Sequence, residues 1–393
     1  VYGVPVGTGG SRQQLVVIGM GKLGGRELNF SSDVDLIFAY PQNGKTSGVE
    51  KPVSNEEFFI RLCRNFLQIL GKTTEDGLVF RLDLRLRPYG ENGPLAMSFG
   101  AMEEYYQHQG REWERYAWIK ARVVAGDKDS GGRLLEKLNP FVYRRYLDVG
   151  AFESLRNMKQ KITLEIKRKG MRGDIKLGRG GIREIEFFGQ IFQLIRGGVT
   201  PPLQERSILK VLAYLVSGSY IPKKVYSELK NAYIFLRNLE HRLQEFSDQQ
   251  THQLPSSQSA RLRLALSMGF KNETQLYRKI AIHRFNVHNH FAMLLESKES
   301  NEPDGKRNAL LEGIWQGVTE PGRGEEIFAA MGFDNPAEAI RILSQLRGDL
   351  APQALGPEGR ERLKKLIPLL LTAAGKCDEP SITLKRIMDL IKA

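Results

Sequence analysis

Cysteine is nearly absent from this 393-residue chain: Cys63 and Cys377 are the two present, far apart and outside any C-x-x-C or His-paired spacing. Neither a disulfide framework nor a zinc site is readable, and both are expected to be buried thiols. No apolar run reaches the roughly 18 residues that a membrane span needs, and the opening VYGVPVGTGG lacks the basic-then-apolar shape of a signal peptide. A cytoplasmic location is therefore expected. The chain starts at Val1 without a methionine and stops inside the amphipathic TLKRIMDLIKA with no capping signal, so the expectation is a piece of a larger protein. Disorder is excluded by 41% hydrophobic and 26% charged residues.

Acidic residues are the minority charge. The balance is 58 Lys+Arg against 45 Asp+Glu, a net charge of +13, which points to an anionic partner: nucleic acid, nucleotide phosphates or an acidic protein surface. No recognised RNA or DNA motif accompanies the charge, so nucleic acid ranks last. The excess is concentrated, with ten Lys or Arg between Arg156 and Arg183 against Glu165 and Asp174.

Organisation follows from periodicity. From Ser11 to about Val123, short apolar runs (LVVIG, VDLIFAY, RLDLRLRP) alternate with Gly-rich or polar turns, as mixed sheet-and-helix structure requires. After Arg183 the period is helical throughout. The reading is a mixed α+β domain over 1–185 and an all-α helical bundle over 186–297. A polar linker at 298–308 and a helical connector at 309–393 follow.

LVVIGMGKLGG holds a G-x-G-x-x-G match, Gly19, Gly21 and Gly24, after an apolar strand. A dinucleotide fold would need a full helix before the next acidic residue, and eight residues between Gly24 and Asp33 leave no room for one. The stretch reads better as strand, glycine turn, short helix and then SSDVDLIFAY. Strand alternation puts Asp33 and Asp35 on one face, with Val34, Leu36 and Phe38 turned into a core. Paired carboxylates at that place suit a magnesium-type cation with phosphate completing its shell; the alternative is two exposed aspartates at a strand edge. RLDLRLRP alternates likewise, Leu82, Leu84 and Leu86 facing one way and Arg81, Asp83, Arg85 and Arg87 the other. If this strand lies beside the first, Asp83 becomes a third metal ligand and the arginines flank the phosphates. Otherwise it is an edge strand with a solvated charged face.

GMGKLGGRELNFSSDVDLIF, RLDLRLRPYGENGPL, REWERYAWIKAR and IKLGRGGIREIEF, in this order, resemble the nucleotidyltransferase-fold half of the glutamate-ammonia-ligase adenylyltransferase family, bifunctional enzymes that adenylylate and deadenylylate glutamine synthetase. The resemblance runs from about Leu15 to about Leu295. WERYAWIKAR and GGIREIEF are more similar to the adenylyl-removing half, with the connector following and the second half absent. The resemblance implies a DNA polymerase beta-like mixed sheet. It also implies Mg2+ (with Mn2+ able to substitute) on Asp33 and Asp35, which Asp83 would join from the neighbouring strand, and a phosphate turn at Gly24 and Gly25 followed by Ser32. Gly25 stands where many members of the wider superfamily have Ser. The reaction implied is phosphorolysis of adenylyl-tyrosine on glutamine synthetase, giving ADP. Partners would be adenylylated glutamine synthetase, inorganic phosphate, ADP or ATP, and the PII signalling protein as regulator. Candidates for holding phosphate are Arg85, Arg87, Lys120 and Arg122, then Lys22 and Arg26. Two other classes stay open: ATP-dependent adenylylation, and a non-catalytic module that binds PII or glutamine synthetase.

The glycines at 178, 180 and 181 open a loop before a helix carrying Arg183, Glu184 and Glu186. This helix either receives an anion at its N-terminus or ties itself to the sheet through ion pairs. The basic run Arg156 to Arg172 is either a solvated face or a steering surface for an acidic substrate. Tyr105, Trp113, Tyr116 and Trp118 are expected to fill the joint between sheet and helices. His283, His288 and His290 miss the spacing of a metal pair.

Overall fold

In the computed structural model, which describes residues 2–144, 173–246, 250–295, 303–317, 321–349 and 357–392, the first strands are β1 (Val4–Val6) and β2 (Val16–Gly19). Every residue of β2 is buried, as its unbroken apolar sequence demands. A single turn of helix, α1 (Gly21–Gly24), leads to β3 (Asp33–Tyr40), and β4 (Lys45–Ser47) pairs with β1 as a two-stranded ribbon. Helix α2 (Asn55–Gly71) is capped by Ser54, whose hydroxyl accepts from the Glu57 N–H. Next come β5 (Arg81–Asp83), β6 (Ala96–Ser98), α3 (Phe99–His108), α4 (Glu112–Trp118), β7 (Arg122–Gly126) and α5 (Lys128–Val142).

The main sheet runs β5-β3-β2-β7, with β6 also on β3. β2 is antiparallel to both neighbours, and β5 and β6 are parallel to β3. On one face, Val34, Leu36, Phe38 and Tyr40 pack with Phe59 and Cys63 of α2. The opposite face, carrying Ile37 and Ala39, joins a core shared with the later helices. Asp33 and Asp35 have the parity of Ile37 and Ala39, so alternation aims them at the helical side.

RLDLRLRP departs from the expected strand: β5 ends at Asp83. The Asp83 carboxylate accepts the Arg85 N–H at 2.8 Å, turning the chain. The Arg87 guanidinium then donates to the carbonyls of Leu84, Glu91 and Gly93 and folds the segment back. Leu82 and Leu84 pack with the α2 core, whereas Leu86 joins the other.

Five further helices complete this unit: α6 (Ile182–Arg196), α7 (Ile208–Ser217), α8 (Lys223–Glu245), α9 (Gln258–Ser267) and α10 (Glu273–Leu295). They share one continuous core with β2, β3 and α3–α5. The chain accordingly forms two compact units, Val1–Leu295 and Glu296–Ala393, with no break near residue 185. Tyr105 and Trp118 are buried in the joint as expected, but Trp113 is 41% exposed.

The second unit contains α11 (Pro303–Gln316), α12 (Pro321–Ala330), α13 (Pro336–Asp349), α14 (Pro357–Ala374) and α15 (Pro380–Lys392). Each begins at a proline, whose fixed φ and missing N–H suit the first helical position. The expected linker is therefore helical from Pro303. Leu311, Phe328, Leu346, Leu371 and Leu384 centre a separate core. Cys63 is buried, and burial pushes its thiol up to about 12; Cys377, contrary to expectation, is exposed.

Candidate active site

A cavity of about 430 Å³ opens on the helical side of the sheet. Asp33, Asp35 and Asp83 line it together with Gly21, Lys22, Ser32, Arg85, Lys120, Arg183 and Glu186. The parallel register sets Asp35 opposite Asp83 and Asp33 opposite Arg81, at the strand spacing of roughly 4.8 Å. Burial, then the charges of Asp83 and Asp33, push the Asp35 carboxyl up to about 6. Asp83 is held below the usual carboxylate range, chiefly by hydrogen bonds from Arg85, whose Nη2 lies 2.6 Å from Asp83 Oδ2. Asp33 accepts from Arg81 Nε and Gln250 Nε2, both at 3.1 Å.

The glycine turn explains itself sterically. At Gly21, with φ +50°, an added Cβ would lie 2.5 Å from Asp35 Oδ2; at Gly24 it would lie 2.0 Å from the Lys120 carbonyl oxygen. Ser32 keeps its hydroxyl for the turn, accepting the Asn29 N–H at 3.2 Å.

Several expected phosphate ligands are otherwise engaged. Lys120 is buried with Nζ 2.7 Å from both Glu27 and Glu186. Burial would lower this amine, but the two carboxylates outweigh it and raise it. Arg122 donates to the carbonyls of Leu23 and Gly24, and Arg87 to its own turn, so neither lines the cavity. Gly24 and Gly25 also lie outside it. Glu184 faces His288, Nδ1 3.3 Å away on α10, and so ties helices together, whereas Glu186 ties α6 to the sheet through Lys120. Lys22 reaches Glu240 at 2.9 Å; burial and then the charge of Lys176 lower its amine to about 8.

Sequence reading missed Lys176, Gln190 and Gln250 as cavity residues, and placed Tyr116 in the core alone. Lys176 stood in the basic excess between Arg156 and Arg183, of which the run Arg156 to Arg172 lies outside the described residues; Gln190 and Gln250 carry no local signal. The hydroxyl of Tyr116 and Oε1 of Gln190 are buried without hydrogen-bond partners among the described residues.

A divalent cation was expected on the three aspartates. Among the described residues no group of three or more His, Cys, Asp or Glu is arranged to hold a metal ion, because Asp83 turns to Arg85 and Asp33 to Arg81 and Gln250. The donor chemistry nevertheless fits: hard carboxylate oxygens on neighbouring strands, with Asp35 raised by its neighbours' negative charge, would be relieved by a cation.

Residues 1–137 match the family described as Glutamate-ammonia ligase adenylyltransferase, and residues 156–295 match GlnD PII-uridylyltransferase. The chain is 49% identical over 392 residues to the "Bifunctional glutamine synthetase adenylyltransferase/adenylyl-removing enzyme" of Nitrosococcus oceani, covering 99% of this chain and 40% of that relative. Against the protein of the same description from Pseudomonas putida, identity is 46% over 397 residues, covering 100% of this chain and again 40% of the relative. The chain thus spans about two fifths of the length of these relatives. Identity at that level from end to end, on a mixed sheet that presents paired aspartates to a basic cavity, makes the chain a member of the glutamine synthetase adenylyltransferase/adenylyl-removing family, with the α+β fold of a nucleotidyltransferase.

Proposed function

We propose that this chain carries the adenylyl-removing activity, phosphorolysis of adenylyl-tyrosine on glutamine synthetase to ADP and free tyrosine. The observation that carries the chemistry is the opposed pair Asp35 and Asp83, with Asp33 alongside, in a cavity also lined by Lys22, Arg85, Lys176 and Arg183. The preference for removal over transfer rests on WERYAWIKAR and GGIREIEF.

In this reaction an oxygen of inorganic phosphate forms a bond to the AMP phosphorus as the bond to the tyrosyl oxygen breaks, and that oxygen takes up a proton. Phosphate is already anionic at neutral pH, so alignment and charge neutralisation matter more than a strong base. Magnesium bound by Asp33, Asp35 and Asp83 would supply charge neutralisation at the phosphoryl group and the leaving oxygen. The chain's own cations frame the remainder: Arg85 sits beside Asp83, Lys22 beside Gly21, Arg183 on α6 and Lys176 in the turn before it. Lys120, already matched by Glu27 and Glu186, holds the sheet against α6 and does not serve as a phosphate ligand.

The test is a product assay. With adenylylated glutamine synthetase, Mg2+ and phosphate, the chain should form ADP in proportion to phosphate. Pyrophosphate released from ATP and unmodified glutamine synthetase, without phosphate-dependent ADP, would overturn the assignment in favour of transfer. Absence of turnover together with absence of magnesium binding by calorimetry would leave a binding module for glutamine synthetase or PII.

A further inference from the structure

A second cavity, of about 780 Å³, lies on the other side of the glycine turn. The two share no lining residue: Gly21 and Lys22 line the catalytic one, Gly24, Gly25 and Arg26 the other. Arg26, Arg122, Arg206, Lys210 and Arg237 line this second cavity against two carboxylates, Glu27 and Glu205. Both carboxylates are committed. Glu27 Oε2 is 2.7 Å from Lys120; Glu205 Oε2 is 3.2 Å from Lys210, and its other oxygen accepts the N–H groups of Arg206 and Ser207. Arg237 is paired with the buried Glu240.

Arg26, Arg122 and Arg206 are left without a carboxylate partner among the described residues. They are close enough to disturb one another: burial, and then the charges of Arg26 and Arg206, pull the Arg122 guanidinium below its ordinary value. Arg206 is fixed through Nε to the Ala121 carbonyl at 2.7 Å, and Arg122 through Nε and Nη2 to Gly24 and Leu23. Each keeps further N–H donors. On the same wall, His241 Nδ1 is buried without a hydrogen-bond partner among the described residues. Like charges gathered in a concave site, whose two lining carboxylates are already taken up by Lys120 and Lys210, are relieved by an anion. Guanidinium forks match phosphate oxygens, and the volume is that of a ligand pocket rather than a protein interface.

We propose that this cavity is a second site, binding a small phosphate-bearing anion on Arg26, Arg122 and Arg206. Because Arg122 grips the carbonyls of Leu23 and Gly24, an occupant there acts on the turn that carries Gly21 beneath Asp35. The inference does not depend on which direction of adenylyl chemistry the chain performs.

The test is calorimetric titration of the 393-residue chain with tripolyphosphate in EDTA, where metal-free Asp33, Asp35 and Asp83 repel phosphate from the catalytic cavity. Saturable binding is expected, weakened at least about tenfold in Arg26→Asn/Arg206→Gln, a loss of about 1.4 kcal/mol. Arg26→Asn alone, at an exposed position whose left-handed backbone (φ 59°) Asn tolerates, is expected to weaken binding about threefold with unchanged melting. It carries the test if the double variant fails to fold. Equal affinity in wild type and variant would overturn the proposal. So would variant-sensitive binding of polyglutamate without binding of tripolyphosphate, which would make the cavity a docking site for an acidic protein segment.

Discussion

Asp35 is partly buried and faces two other carboxylates, Asp83 and Asp33, and for these reasons its carboxyl is pushed up to about 6. Asp35→Asn removes both a metal ligand and a repelled charge. Phosphorolysis should fall by more than about a hundredfold while the fold is kept or tightened, a pair of results read by ADP formation and urea unfolding. Full turnover in this variant would remove Asp35 from the reaction. Gly24 fails differently: a methyl there meets the Lys120 and Gly19 carbonyls at 2.0 and 2.6 Å. Gly24→Ala should therefore destabilise by about 3 kcal/mol, measured as a shift in the urea midpoint. Residues of this kind were legible because alternation and glycine spacing are local rules. Gln190 and Gln250 were not, since α6 and the segment after α8 bring them to the cavity from far along the chain from all three aspartates, and nothing in a glutamine's own neighbourhood records that. The aspartates could be read from period 2 alone, but not their partners: Asp83 belongs to Arg85 because of a turn that the leucine alternation conceals, and Asp33 to Arg81 because the parallel register sets them opposite each other.

At the scale of elements, the helices after Arg183 were readable because apolar stripes at period 3.6 need no tertiary knowledge. The end of β5 was not. RLDLRLRP satisfies a strand template to its last leucine, and the side chains of Asp83 and Arg87, which take backbone groups from the ladder, decide otherwise. The joint between α8 and the glycine turn was equally invisible. Glu240 is wholly buried against Lys22 at 2.9 Å, His252 at 3.2 Å and Arg237, while Arg237 also donates to the Glu27 carbonyl. Removing only the carboxylate leaves buried cations unmatched. Glu240→Gln should cost about 3 to 5 kcal/mol and loosen Lys22 from the cavity wall. Denaturant unfolding checks the first effect and a rise in KM for phosphate the second; an unchanged midpoint would show that the cluster contributes nothing.

For the whole molecule, two separate cores predict two unfolding transitions, and pH should act on the Val1–Leu295 unit from opposite sides. Asp35 binds its proton more tightly folded, at about 6 against 3.8. Its protonation therefore stabilises the metal-free fold at low pH, and that contribution is lost as pH rises through about 6. Glu240 behaves in the reverse sense. Burial opposes its charge, but His252, Lys22 and Arg237 prevail and hold it well below 4.5. Its contribution is present above 4.5 and lost as pH falls from there toward its lower folded value. Metal-free, the melting temperature of this unit should rise from pH 7 to about pH 5 and fall again in stronger acid. Asp35→Asn should flatten the upper limb and Glu240→Gln the lower. Saturating Mg2+ should also flatten the upper limb, because a bound cation keeps Asp35 ionised. Calorimetry across pH 3 to 8, with and without Mg2+, checks all three. A metal-free upper limb that persists in Asp35→Asn would place the titrating group elsewhere.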